Sequence, residues 1–202
     1  MPVYFVRHGE TDYNRDKRFQ SRTDVPLNAL GLSQAQAIRD ELRRRQVRFI
    51  KALSSPLSRA LDTARVVLEG TGLEATPEPA LLELDFGLLE GRLETELRQE
   101  LGEEYTRWRQ TYYTVPPPGG GESIISAAPR VKPVLTAIAP KARDAAVLLV
   151  GHQAIFMAAK VALTGLTDLD SAREFKQNNN EVEVWNVETA ERLERFTVHP
   201  AC

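Results

Sequence analysis

The chain of 202 residues is 42% hydrophobic and 27% charged, a balance that fits one globular domain with a sizeable core. Its 26 Lys and Arg against 28 Asp and Glu give a formal net charge of -2, which excludes nucleic-acid or membrane-surface binding driven by bulk charge. The one cysteine, Cys202, is the last residue, so no internal disulfide can form, and three histidines leave too few ligands for a buried zinc cluster.

The first element is an apolar strand, Val3 to Val6, with no basic or apolar leader ahead of it, so a cytoplasmic location is expected. No apolar run approaches the ~20 residues needed to cross a bilayer. Ala35, Ile38 and Leu42 recur at helical spacing and predict a helix that opens near Asn28 or Ser33 and ends in Arg43-Arg44-Arg45. Phe49 to Leu53 predicts a second strand. Ser54-Ser55-Pro56 then starts a helix with Leu57, Ala60, Leu61, Ala64 and Leu68 on one face, closed by Gly70 and Gly72. A third strand is predicted within 75–86, leading to Glu83-Leu84-Asp85-Phe86-Gly87.

Residues 92–121 are charged, carry aromatics and end in Pro116-Pro117-Pro118-Gly119-Gly120-Gly121, which predicts an inserted lid hinged at the glycines. Ile124, Ala128, Val131, Leu135 and Ile138 follow helical spacing, but Pro129 and Pro133 predict a late start or a kink. Ala145 to Val150 reads as a buried strand and is followed by a helix through Ala158 and Val161. Val182 to Val184 and Phe196 to Val198 predict a closing hairpin. The alternation of helix and strand predicts a layered α/β domain over 1–202 with a mostly parallel sheet.

Parallel strands deliver their last side chains to one edge, where open α/β folds bind ligands. The first strand ends in Arg7-His8-Gly9 and the fourth in Gly151-His152; the second adds Arg59 one turn into its helix, and the third adds Glu83. Arg7, His8, Arg59, Glu83 and His152 are therefore expected to converge.

In chain order this set resembles the histidine phosphatase superfamily, also called phosphoglycerate mutase-like, from Arg7 to His152. Arg7-His8-Gly9 and Ser55-Pro56-Leu57-Ser58-Arg59-Ala60 carry the resemblance. Glu83 to Gly87 with Glu90-Gly91 looks like the general-acid segment of its phosphatase branch, and Gly119 to Ser123 is similar to that branch's Gly-Gly-Glu-Ser. The sequence departs at Ser21, where Gln-Gly is typical, and at Gln153, where a second glycine is more usual. The resemblance implies a three-layer α/β/α sandwich and a metal-independent phosphomonoesterase that needs no cofactor. Its expected partner is a small phosphorylated metabolite. A cofactor-dependent phosphoglycerate mutase is the alternative, and a phospho-ligand-binding protein without turnover a remoter one.

In that chemistry a neutral His8 attacks phosphorus to give a phosphohistidine, while Arg7, Arg59 and a protonated His152 meet the equatorial oxygens. Glu83 supplies a proton to the leaving alkoxide and then activates water, with Asp85 and Glu90 as nearby carboxylates able to take that role. Asn14, Gln20, Ser21 and Gln153 are expected to bind substrate around the phosphate pocket, with turn capping as the competing role for Asn14 and Gln20. Arg98, Arg107, Trp108, Arg109, Tyr112 and Tyr113 either shape the substrate pocket or pack the lid against itself. His199 is expected to lie outside the site.

Overall fold

A computed structural model describes residues 2–138, 145–166 and 173–200. Six strands form one sheet in the order β3-β2-β4-β1-β5-β6. They are β1 (Pro2–Arg7), β2 (Phe49–Ser54), β3 (Thr76–Pro77), β4 (Ala146–Gly151), β5 (Glu181–Asn186) and β6 (Glu191–Thr197). The first four are mutually parallel, β1 with β4, β4 with β2 and β2 with β3. β5 runs antiparallel to β1, and β6 returns beside it, so the expected hairpin closes the sheet. β4 is buried along its whole length, which is why its sequence is an unbroken apolar run rather than an alternating one. β6 is the solvent-facing edge; its Glu191, Arg192, Glu194 and Arg195 discourage pairing with another chain.

Helices cover both faces. On one side, α5 (Ile124–Ala137) and α6 (Gln153–Thr164) pack against Val3, Phe5, Val147 and Leu149. On the other, α2 (Ala29–Arg44) and α3 (Ser58–Val67) cover Val6, Ala52, Leu148 and Val150. Successive residues of β1 and β4 thus feed opposite cores, giving three layers. α2 starts where expected, with Asn28 capping it by accepting from the Gly31 amide at 2.9 Å. A single turn, α1 (Asp12–Arg15), and a long helix, α4 (Glu94–Thr111), complete the set. Cys202 lies outside the described residues.

Two expectations need correction. The third strand is only Thr76–Pro77, followed by a 3-10 turn at Pro79–Leu81. Pro77 and Pro79 lack the N–H groups that a longer ladder would use. And α5 does not start late: it begins at Ile124 and runs through Pro129 and Pro133. Ser123 and Ser126 form a reciprocal cap at its first turn, so the helix is nucleated ahead of both prolines.

Candidate active site

The parallel register places Arg7 opposite Gly151 and Ser54 opposite Val150, so β1, β2 and β4 end at one edge. His8 follows β1 there and is buried. Its Nδ1 lies 2.7 Å from the Gly9 carbonyl oxygen. A carbonyl only accepts, so Nδ1 carries the proton and Nε2 keeps its lone pair. Burial, reinforced by the Arg59 and Arg7 charges, holds the imidazole well below its ordinary pKa, against the opposing bond to Gly9. His8 is therefore a neutral ring in a defined tautomer. The loop carrying it is clamped: Thr63 accepts from the Gly9 amide, and Asn179 donates to the His8 carbonyl. Gly9 also presses on Gly31 at the start of α2, where a Cβ on Gly9 would sit 2.3 Å from the Gly31 oxygen. Neither residue can carry a side chain.

Arg59 is fully buried and bonds the Ser21 carbonyl from Nη2 at 2.9 Å and the Thr23 carbonyl from Nη1 at 2.8 Å. Arg7 donates from Nη1 to Gln153 Oε1 and to the Gln177 carbonyl. Burial lowers both guanidinium pKa values, Arg7 to about 10, with Glu83 the largest opposing influence on each. A value of about 10 still leaves Arg7 charged at neutral pH. Behind them, His152 packs its ring 5.0 Å from that of His8 and bonds Ser55 Oγ through Nε2 at 2.8 Å. Its buried Nδ1 has no partner among the described residues. Burial and then Arg59, His8 and Arg7 push its pKa well down, so His152 is neutral rather than protonated as expected. With the Ser55 hydroxyl donating to Nε2, Nδ1–H remains a donor without any added charge.

Glu83 reaches the site from a loop, not from a strand end. Its Oε1 accepts from the Leu84 and Ile155 amides and its Oε2 from the Ala154 amide at 3.2 Å. Two of those amides belong to the first turn of α6, where the helix dipole favours negative charge. Burial nevertheless outweighs these bonds and Arg59, and the carboxyl pKa is raised. The loop is held from below. Glu122, from the Gly-Gly-Glu-Ser stretch, accepts from the Asp85 amide and pairs with Arg130, which in turn donates to the Ala80 and Leu82 carbonyls. Ser21 braces it from above, donating to the Leu84 carbonyl and accepting from the Phe86 amide.

Arg7, His8, Arg59 and Glu83 line a cavity of about 210 Å³ together with Asn14, Gln20, Ser21, Gln153, Phe19, Trp108 and Tyr112. Among the described residues no three His, Cys, Asp or Glu side chains group as a metal site. The sequence pattern of the histidine phosphatase superfamily (branch 1) matches residues 3–197. The chain belongs to that superfamily. Curated relatives include a probable phosphoglycerate mutase of Proteus mirabilis, 34% identical over 155 residues that cover 75% of this chain and 69% of that protein. Phosphoserine phosphatase 1 of Hydrogenobacter thermophilus is 32% identical over 188 residues, covering 93% and 87%. Among solved structures, mycobacterial glucosyl-3-phosphoglycerate phosphatase in complex with VO3 superposes with a TM-score of 0.81 at 30% identity, covering 91% of each chain. The alpha-ribazole phosphatase of Shigella flexneri gives 0.80 at 28% identity, covering 99% of this chain and 95% of that one. Its structural neighbours are thus phosphatases of the phosphoglycerate mutase-like fold.

Within this superfamily member, all nine expected site residues gather at one place, though not all in the expected manner. His152 lies behind the cavity wall against His8. Ser21 has both hydrogen-bonding functions of its hydroxyl engaged by the Glu83 loop, and its backbone sits at φ 48°, the left-handed region that favours the usual glycine. It positions Arg59 and the loop. Asn14 Oδ1 accepts from the Thr11 amide and Gln20 Oε1 from the Thr11 hydroxyl, so turn capping takes their oxygens and leaves their NH2 groups. Asp85 caps the Gly87 amide and Glu90 bonds Thr23, and neither lines the cavity. Of the six side chains singled out in 92–121, Trp108, Arg109 and Tyr112 line it; Tyr113 joins the main core, and Arg98 and Arg107 stay outside. His199 is exposed and elsewhere. The sequence reading missed Gln177 and Asn179, which fasten the end of β1, and Lys176. The signal was present: a run of four amides, Gln177 to Asn180, just ahead of a strand.

Proposed function

We propose that this chain is a metal-independent phosphomonoesterase that works through a phosphohistidine on a small phosphorylated metabolite, with one domain over 1–202 and residues of about 92–121 as an insertion roofing the site. The observation that carries this reading is His8, a neutral imidazole with a single proton placed on Nδ1 and two buried guanidiniums beside it. Its Nε2 lone pair attacks phosphorus, the N–P bond forms and the bond to the ester oxygen breaks. Arg7, Arg59 and the Nδ1–H of His152 meet the charge on the equatorial oxygens, and the NH2 groups of Asn14, Gln20 and Gln153 add uncharged donors. Glu83, whose carboxyl pKa burial raises, gives its proton to the departing alkoxide. As a carboxylate it then takes a proton from water, which attacks phosphorus, frees His8 and yields inorganic phosphate.

Relatives named as phosphoglycerate mutases support a second reading, in which the phosphoryl group returns to a bound phosphoglycerate instead of passing to water. Hydrolysis of p-nitrophenyl phosphate in EDTA, without interconversion of 3- and 2-phosphoglycerate, is the expected result. His8→Ala should abolish both turnover and acid-labile labelling by phosphate. A phosphoenzyme that persists in this variant would remove His8 from the nucleophile's role.

A further inference from the structure

The Nδ1–H of His8 donates to the Gly9 carbonyl, and that oxygen belongs to the peptide joining Gly9 to Glu10. The other polar group of this peptide is the Glu10 N–H, which donates to Gln34 Oε1 at 2.8 Å. An N–H only donates, so it is the oxygen of the Gln34 amide that faces it. A peptide is planar, with its N–H and C=O pointing in opposite directions. Fixing the N–H therefore fixes where the Gly9 oxygen points. Gln34 lies on α2 and is buried, at 8% exposure. The backbone groups on either side are also committed. The Gly9 N–H donates to Thr63 Oγ1 at 3.0 Å, and the Glu10 carbonyl accepts from the Asn28 N–H at 3.0 Å. The His8 carbonyl is taken by Asn179. Of the three carbonyls in 8–10, the outer two are thus engaged elsewhere and the middle one receives the imidazole. A Cβ on Gly31 would sit 2.1 Å from the Glu10 oxygen and 2.7 Å from its nitrogen, so α2 abuts this peptide directly.

We infer that Gln34 is a positioning residue for the nucleophile, acting through the Glu10 N–H and the Gly9 carbonyl to set the tautomer of His8 and the aim of its Nε2. This rests on the reading above, in which His8 attacks phosphorus. By accepting from the Glu10 N–H, Gln34 polarises the peptide and makes the Gly9 oxygen a stronger acceptor. A stronger acceptor keeps the ring proton on Nδ1, and Nε2 keeps the lone pair that attacks. Without that bond the peptide can tilt, and the tautomer with its proton on Nε2 competes. That form has no lone pair on the attacking atom. A misplacement of about 1 Å in a reacting group can cost about a hundredfold in rate.

The test reads the His8 ring nitrogens by nitrogen NMR in protein without substrate. It also follows the rate of phosphoenzyme formation from p-nitrophenyl phosphate, whose leaving group needs no acid. The wild type should show a protonated Nδ1 and a bare Nε2. Gln34→Met removes the oxygen at similar volume. It should draw the two ring-nitrogen shifts towards each other and slow phosphorylation about tenfold to a hundredfold. Gln34→Asn withdraws the oxygen by one methylene and should do the same, so the question is still answered if the methionine variant does not fold. Gln34→Glu keeps an oxygen at full reach and should restore the wild-type ring shifts and most of the rate. Ring shifts unmoved in folded Gln34→Met or Gln34→Asn protein would overturn the inference, whatever became of activity. So would a Gln34→Glu variant whose ring shifts match those of Gln34→Met. Phosphate labelling that survived His8→Ala would instead remove the phosphohistidine reading, a failure visible with Gln34 intact.

Discussion

A carboxyl group that must deliver a proton near neutrality has to resist ionising, and the Glu83 pKa is raised although three amides bond to it, because burial costs its anion more than they return. An alkyl phosphate leaves as a basic alkoxide and needs that proton, whereas p-nitrophenolate does not. Glu83→Gln should slow alkyl phosphates by ~10²–10⁴ and p-nitrophenyl phosphate much less. Equal losses on both would take the acid role from Glu83. The pH profile gives an independent reading. His8 must be neutral, and its pKa lies well below 6.5, so activity should persist on the acid side past the ordinary histidine range. Glu83 must be protonated, and its pKa is raised, so hydrolysis of alkyl esters should fall as pH rises through that value. In Glu83→Gln the alkaline fall should disappear while the acid limb stays. An alkaline limb unchanged by the substitution would belong to another group.

At the scale of elements, the strands that matter most were legible because each is an apolar run ended by polar chemistry. β1 stops at Arg7-His8-Gly9 and β4 at Gly151-His152, and their parallel register brings the two histidines together. Glu83 was placed correctly for the wrong reason: β3 ends six residues earlier, and the loop is instead held by Glu122, Arg130 and Ser21, long-range bonds that no local pattern encodes. The amide run 177–180 went unread for the same cause, since its targets are Phe5, Arg7 and His8, far away in sequence. Within 92–121, α4 bends at Gly102 and buries Leu97, Tyr105 and Trp108 in a small cluster with Leu89, separate from both main cores. Such a satellite cluster has little to hold it down, so α4 should open more readily than α5 or α6. Vanadate in the cavity should slow amide exchange across 94–111 and leave β4 unchanged. Exchange in α4 that ignores vanadate would mean that the roof takes no part in binding.

The molecule as a whole contains a buried ion pair outside the cavity's lining. Lys160 Nζ lies 2.9 Å from Glu183 Oε2, both side chains fully buried, with the Phe175 carbonyl and the Trp185 indole N–H as further partners. Burial lowers the lysine pKa to about 8. Breaking such a pair strands a charge, so Lys160→Met should cost ~3–5 kcal/mol in chemical denaturation, while adding Glu183→Leu to it should recover most of the loss. A double variant no more stable than the single one would show that the pair is not coupled. The same charges, viewed from outside, also have an uneven distribution. A chain of net charge -2 offers a small anion no general attraction, but the cavity, with Arg18, Arg109 and Lys176 in its lining, does. That local pull extends about one Debye length, ~8 Å at physiological salt, so it acts only on molecules that have already wandered near. Encounter and chemistry would then be filtered separately: salt should thin the traffic reaching the mouth, lowering kcat/KM, while turnover of a substrate already bound proceeds at its own pace.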